Sequence, residues 1–177
     1  GKHNKLLNYF TEFPNGTFIT LKNKNFTKNY SCEHSKNLNG RKIIWPRGEC
    51  IGGSSAINGL VYKRGHKNDF DKLSNNGFLS WEWNKVIKYY EEIEDRLKIY
   101  SRKKYKSKNS ENNSNENPIV MSFLKSLEKN KFNFCDSFNE KLKLETNESQ
   151  CSHYDLTLDK YKRSYAYNVY LKGNKNI

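Results

Sequence analysis

The stretch Trp45-Pro46-Arg47-Gly48-Glu49-Cys50-Ile51-Gly52-Gly53-Ser54-Ser55-Ala56-Ile57-Asn58-Gly59 decides how the rest of the chain is read. It follows a short apolar run, Ile43-Ile44-Trp45, and has the form of a strand end, a Gly-Gly turn and a helix start. Glycines at such a turn let backbone N–H groups approach a ligand with no Cβ in the way. Ser54 and Ser55 can cap the following turn or donate to a phosphate, and oriented N–H groups there form an anion site. A Gly-Gly-Ser-Ser tetrad alone is an ordinary loop, so the weight rests on the longer string.

That string is Gly48-x-x-Ile51-Gly52-Gly53-Ser54-Ser55-x-Ile57-Asn58-x-x-x-Tyr62-x-x-Gly65. Around it stand Asn39-Gly40-Arg41, then Arg64-Gly65-His66 and Asp69-Phe70-Asp71, with Gly77, Trp81 and Tyr89-Tyr90 further on. Together they resemble the first signature of the glucose-methanol-choline (GMC) oxidoreductase family, and most of all its choline-oxidising members. The likeness is densest over residues 39–71 and looser after 100, where Asn117-Pro118, Arg163 and Tyr170-Leu171 match.

The resemblance implies an FAD-dependent enzyme that oxidises a small alcohol to an aldehyde, passing hydride to flavin N5 and then electrons to an unspecified acceptor. It implies that Arg47, Gly48, Gly52, Gly53 and Ser54 lie near the pyrophosphate and ribityl part of FAD, with Ser55 as a further donor. Asn58 and Gly59 would lie near the isoalloxazine ring. Some relatives attach FAD through a His at the position of Ile57, so FAD is expected to be non-covalent here. Glu49 departs from the family, which has a basic residue or Asn there; a carboxylate beside a pyrophosphate is unfavourable unless it turns to solvent. Lys67 replaces a common Pro, and a Gly-Pro-Leu strand expected before the second helix is missing.

Two family parts are absent. No G-x-G-x-x-G occurs, so the dinucleotide-binding βαβ unit is not here. The catalytic His position has no match, and His66 and His153 are read as structural or exposed. No catalytic residue is assigned. The chain opens at Gly1 without a Met and is read as an internal segment, inactive alone. The expected fold is α+β: part of an α/β FAD-binding domain over 1–100, a low-complexity polar insert over 101–117, and part of an antiparallel-sheet substrate domain over 118–177 returning toward the FAD domain.

Working outward, residues 1–40 read as loop-rich, with turns at Pro14-Asn15-Gly16 and Asn39-Gly40. Residues 80–97 read as an amphipathic helix on Trp83, Val86, Ile87, Tyr90, Ile93 and Leu97, capped by Ser80. A second helix starts at Asn117-Pro118, with Val120, Phe123, Leu124 and Leu127 as its apolar side. Tyr154, Leu156 and Leu158 alternate as in a strand, and 163–171 reads as a short final helix.

Composition adds little. The net charge of +13 would suit a nucleic-acid or anionic-membrane partner, but Lys and Asn are over-used everywhere, as a general bias would do. A basic nucleic-acid module therefore ranks last, behind a diverged non-catalytic remnant acting as an interaction protein, and no nucleic-acid partner is expected. Cys32, Cys50, Cys135 and Cys151 have neither zinc-site nor dense disulfide spacing, so no metal is expected. Reduced thiols point to an intracellular compartment, and the resemblance to a mitochondrial one. No stretch approaches the ~20 apolar residues that span a bilayer.

Overall fold

The computed structural model describes residues 5–101, 117–139 and 149–173. Helices and short sheets mix, as an α+β chain requires, and the contacts within the chain form two compact units.

The first unit holds residues 1–60 and 158–177. Helix α1 (Lys5–Glu12), a one-turn 3-10 helix (Pro14–Gly16) and helix α2 (Thr17–Lys22) open it. The loop-rich reading of 1–40 is therefore corrected. The β-branched Thr-Phe-Ile-Thr segment of α2 is a poor helix former, but Thr20 is buried and Leu21 packs on the core, so tertiary packing overrides propensity. Strands β1 (Thr27–Ser31) and β2 (Ile44–Gly48) pair antiparallel, Thr27 opposite Gly48 and Tyr30 opposite Trp45. Their connection turns at Asn39 and Gly40, both with positive φ (53° and 71°). Phe26, Ala56, Ile57 and Tyr165 form the core, with Phe10, Leu21, Cys50 and Tyr167 around it.

The second unit holds residues 61–157. Strand β3 (Val61–Tyr62) leads to helix α3 (Lys67–Asn75), a 3-10 turn (Leu79–Trp81), helix α4 (Trp83–Leu97) and helix α5 (Pro118–Lys129). Strands β4 (Asn133–Phe134) and β5 (Gln150–Cys151) pair in parallel, and β6 (Asp155–Leu156) pairs antiparallel with β3. Trp83 and Ile87 are buried against Phe70 and Tyr90. Ser80 does not cap α4. Glu82 holds the cap position without a side-chain bond, and the Asp71 carboxylate of α3 accepts from Trp83 N at 3.2 Å. Lys67, donating to Asp71, and this amide together lower the Asp71 pKa. The α5 start is as read, Asn117 Oδ1 accepting from Ile119 N at 2.9 Å.

Both apolar stripes are narrower than the sequence implies. Ile93 is 40% exposed, and of the α5 stripe Leu124 is buried while Phe123 is 61% exposed. The Tyr154–Leu158 alternation is two short strands rather than one. Strand β6 belongs to the second unit and β7 (Leu158–Asp159) to the first, where it pairs with β8 (Lys162–Arg163). The inward side chain of β6 is Asp155, while Tyr154 is exposed. The final helix is a single wide turn, Tyr167–Leu171. The polar tract at 101–117 lies outside the described residues apart from its ends. No helix among the described residues is long and apolar enough to cross a membrane.

Candidate cofactor-binding loop

Strand β2 ends at Gly48 because the chain folds straight back on it. A Cβ on Gly48 would strike the backbone of Gly53, and Gly48 N donates to Ser54 Oγ at 3.0 Å. Gly53 N closes the turn onto Cys50 O at 2.8 Å. Gly52 and Gly53 both adopt left-handed backbone, φ 91° and 56°, which side-chain-bearing residues rarely take. A single 3-10 turn, Gly53–Ala56, follows in place of a longer helix.

The two glycines differ in what surrounds them. A Cβ on Gly52 would lie 2.7 Å from the Tyr165 ring, whereas one on Gly53 would meet nothing within 4 Å. Gly53 therefore presents bare backbone to open space. Gly59 is exposed, and a Cβ there too would meet nothing within 4 Å.

The remaining candidate side chains divide into outward and inward groups. Arg47 is exposed, its guanidinium 5.2 Å from the centre of the Trp45 ring, and Ser54 is exposed with its hydroxyl on Gly48 N. Ser55 turns inward: its hydroxyl donates to Gly52 O at 2.5 Å and accepts from Ala166 N at 3.1 Å. The Asn58 carboxamide oxygen accepts from Leu60 N at 3.1 Å and from Arg163 at 2.5 Å. Glu49 is exposed, so its carboxylate turns to solvent as its position requires. Ile57 is 3% exposed and belongs to the core.

Chemically, the loop offers bare backbone, one hydroxyl and one exposed guanidinium, a donor set suited to an anion. It contains no acid–base pair. His66 has a structural role, its Nδ1 accepting from Asn68 N at 3.2 Å at the start of α3.

Sequence reasoning passed over Arg163 and Tyr165 as parts of this site. Both are almost fully buried, at 1% and 2% exposure. Burial lowers the Arg163 pKa and raises that of Tyr165. The available signal was the Arg163 match, which only burial turns into a role.

This chain belongs to the GMC oxidoreductase family, whose model matches residues 15–121. Over 85 residues it is 40% identical to the oxygen-dependent choline dehydrogenase of Sinorhizobium medicae (strain WSM419), an alignment spanning 48% of this chain and 16% of that protein. Its counterpart in Brucella ovis is 42% identical over 66 residues, 37% of this chain and 12% of that one. The chain thus spans a small part of these relatives' length. The crystal structure of pyridoxine 4-oxidase from Mesorbium loti superposes with a TM-score of 0.69 over 94% of this chain and 33% of that one. At 18% identity that likeness is one of fold.

Proposed function

We propose that this chain carries the cofactor-facing loop of an FAD-dependent oxidoreductase that converts a CH–OH group to a carbonyl. Bound FAD supplies the two-electron hydride acceptor, while the protein binds and orients it. The observation that carries this reading is Gly53, left-handed and facing open space in a family of oxidoreductases. Gly52 and Ser54 would offer the diphosphate backbone and hydroxyl donors across the open side of Gly53, whose own N–H is held by Cys50 O, with Arg47 swinging from Trp45 and Pro46 O toward its charge. Gly48 keeps the turn tight beneath them. Gly59 and the backbone of Asn58 would face the flavin ring; the Asn58 and Ser55 side chains act by holding the loop's shape.

FAD is non-covalent in this proposal, because Ile57 offers no nucleophilic atom and is buried in the core. The favoured substrate is a small primary alcohol of the choline kind, since the similar proteins are named choline dehydrogenases. The side chain that takes the hydroxyl proton is assigned outside this segment.

The test is flavin content of the full-length natural protein after gel filtration. We expect stoichiometric FAD, released by denaturation, and bleaching of its visible band on anaerobic addition of choline. Gly53→Val, which adds bulk to a left-handed position on the open side of the loop, should abolish flavin retention. Wild-type protein without flavin would favour the remnant reading, and full flavin in Gly53→Val would remove the loop from the site.

A further inference from the structure

Arg163 is buried, yet among the described residues no carboxylate pairs with it. Its partners are all neutral oxygens. Nε donates to Thr11 O at 3.0 Å, and Nη2 to Thr17 Oγ1 at 2.6 Å. Nη1 reaches Asn58 Oδ1 at 2.5 Å, Asn58 O at 2.8 Å and, more distantly, Ser55 O at 3.4 Å. A buried guanidinium without a counter-charge is costly, so its place in the fold needs a reason beyond stability.

The partners supply one. Thr11 stands in α1 and Thr17 opens α2, whereas Ser55 and Asn58 bracket the far half of the glycine loop. One planar fork thus spans two helices and the loop. A lysine ammonium, a compact charge on a flexible stem, cannot hold this set of diverging acceptors in one geometry. The residues after Arg163 grip the same loop. The Tyr165 ring lies 2.7 Å from where a Cβ of Gly52 would be, and Tyr165 OH bonds Thr11 Oγ1 at 3.2 Å. Ala166 N bonds Ser55 Oγ at 3.1 Å. Segment 163–166 is therefore a template laid along residues 52–58, fixing its near end at Gly52 and its far end at Asn58.

We propose that Arg163 is a positioning residue for the bound flavin, setting where Asn58 and Gly59 stand by clamping the Ser55 and Asn58 carbonyls to the α1–α2 pair. This rests on the cofactor reading above. Arg163 would not touch FAD; its effect passes through the loop backbone. Its unneutralised charge also lies behind a loop read as binding an anion, so the clamp adds no negative charge there.

The test compares three variants of the full-length protein. Arg163→Lys keeps the charge and loses the fork. Thr17→Val, nearly isosteric, removes the Nη2 bond together with the weaker Thr17 Oγ1 bond to Asn58 O at 3.4 Å, and serves if the first fails to fold. Leu124→Ala, in the second unit, lowers stability without touching the clamp. FAD affinity and the position and fine structure of the visible flavin band are measured beside melting temperature. Arg163→Lys should bind FAD about tenfold more weakly, as loss of one charge-assisted bond would do, and shift the band. Thr17→Val should move both in the same direction by less, and Leu124→Ala should lower the melting temperature alone. Lowered melting with wild-type affinity and band in Arg163→Lys and Thr17→Val would overturn the proposal, leaving Arg163 as a structural tie. Wild-type protein that binds no FAD would instead overturn the cofactor reading, and this proposal with it.

Discussion

Among the described residues each compact unit holds one arginine out of solvent, and the two are handled in opposite ways. In the second unit Arg64, 9% exposed, meets Glu94 through Nε and Nη2, both at 2.6 Å. Tyr62 OH adds a bond to the same carboxylate at 2.8 Å, and Asn139 takes the Arg64 backbone N–H at 2.7 Å. Charge is closed locally, and the Glu94 bonds raise the Arg64 pKa. In the first unit the partners of Arg163 among the described residues are neutral oxygens, and burial lowers its pKa. A paired arginine joins the segment after β3 to α4 and asks nothing of a ligand. One with neutral partners holds backbone in a set shape. The first is the arrangement of a scaffold; the second is the one the proposal above reads as a support for a site.

The largest expected effect breaks the paired case. Glu94→Ala leaves Arg64 buried beside Tyr62 with no carboxylate. Removing one partner of a buried pair costs about 3 kcal/mol or more, because an uncompensated charge remains. Urea unfolding of the variant should show a midpoint lowered accordingly. A change under about 1 kcal/mol, the range of an exposed pair, would mean that water reaches Arg64 and that the two arginines differ less than their burial implies.

A smaller effect sharpens the contrast inside the loop. Gly52→Ala and Gly53→Ala both place an L-residue in left-handed backbone, at roughly 1–2 kcal/mol each. Only Gly52→Ala also forces its Cβ against the Tyr165 ring, and overpacking adds about 1–3 kcal/mol. Gly52→Ala should therefore melt distinctly lower than Gly53→Ala. Equal melting temperatures would show that Tyr165 yields, and would weaken the template described for residues 163–166.

The parts of this fold that were legible beforehand rest on local chemistry. The strand end at Gly48, the left-handed turn at Gly52-Gly53 and the Asn117-Pro118 helix start all follow from residues within a few positions of each other. The illegible parts depend on distant partners. Ser80 is passed over as a cap because the carboxylate of Asp71, on another helix, reaches Trp83 N first. The Tyr154–Leu158 alternation fails because its two halves pair with different strands. Arg163 is the extreme case, its partners lying 105 to 152 residues away. The loop's turn could thus be placed from sequence, whereas the inward bonds of Ser55 and Asn58 could not.

The smallest effect returns to the paired arginine and depends on pH. Burial first, then the bond to Glu94 and its charge, raise the Tyr62 pKa, with Arg64 opposing. The folded chain therefore holds this proton more tightly than the unfolded chain, in which tyrosine titrates near ~10. The resulting stability is fully present below that pH. It is lost as pH rises from there through the higher folded value. Tyr62→Phe removes one hydrogen bond to a carboxylate, about 1 kcal/mol at neutral pH for a half-buried group, and leaves the Arg64–Glu94 fork in place. Urea midpoints at pH 7 and pH 10.5 should fall further apart for wild type than for the variant. Tyr165, also raised by burial, contributes equally to both and cancels in the comparison. Identical alkaline losses would mean that Tyr62 ionises freely in the folded chain. Glu94 would then be closed by Arg64 alone, and the second unit's charge cluster would reduce to one ion pair.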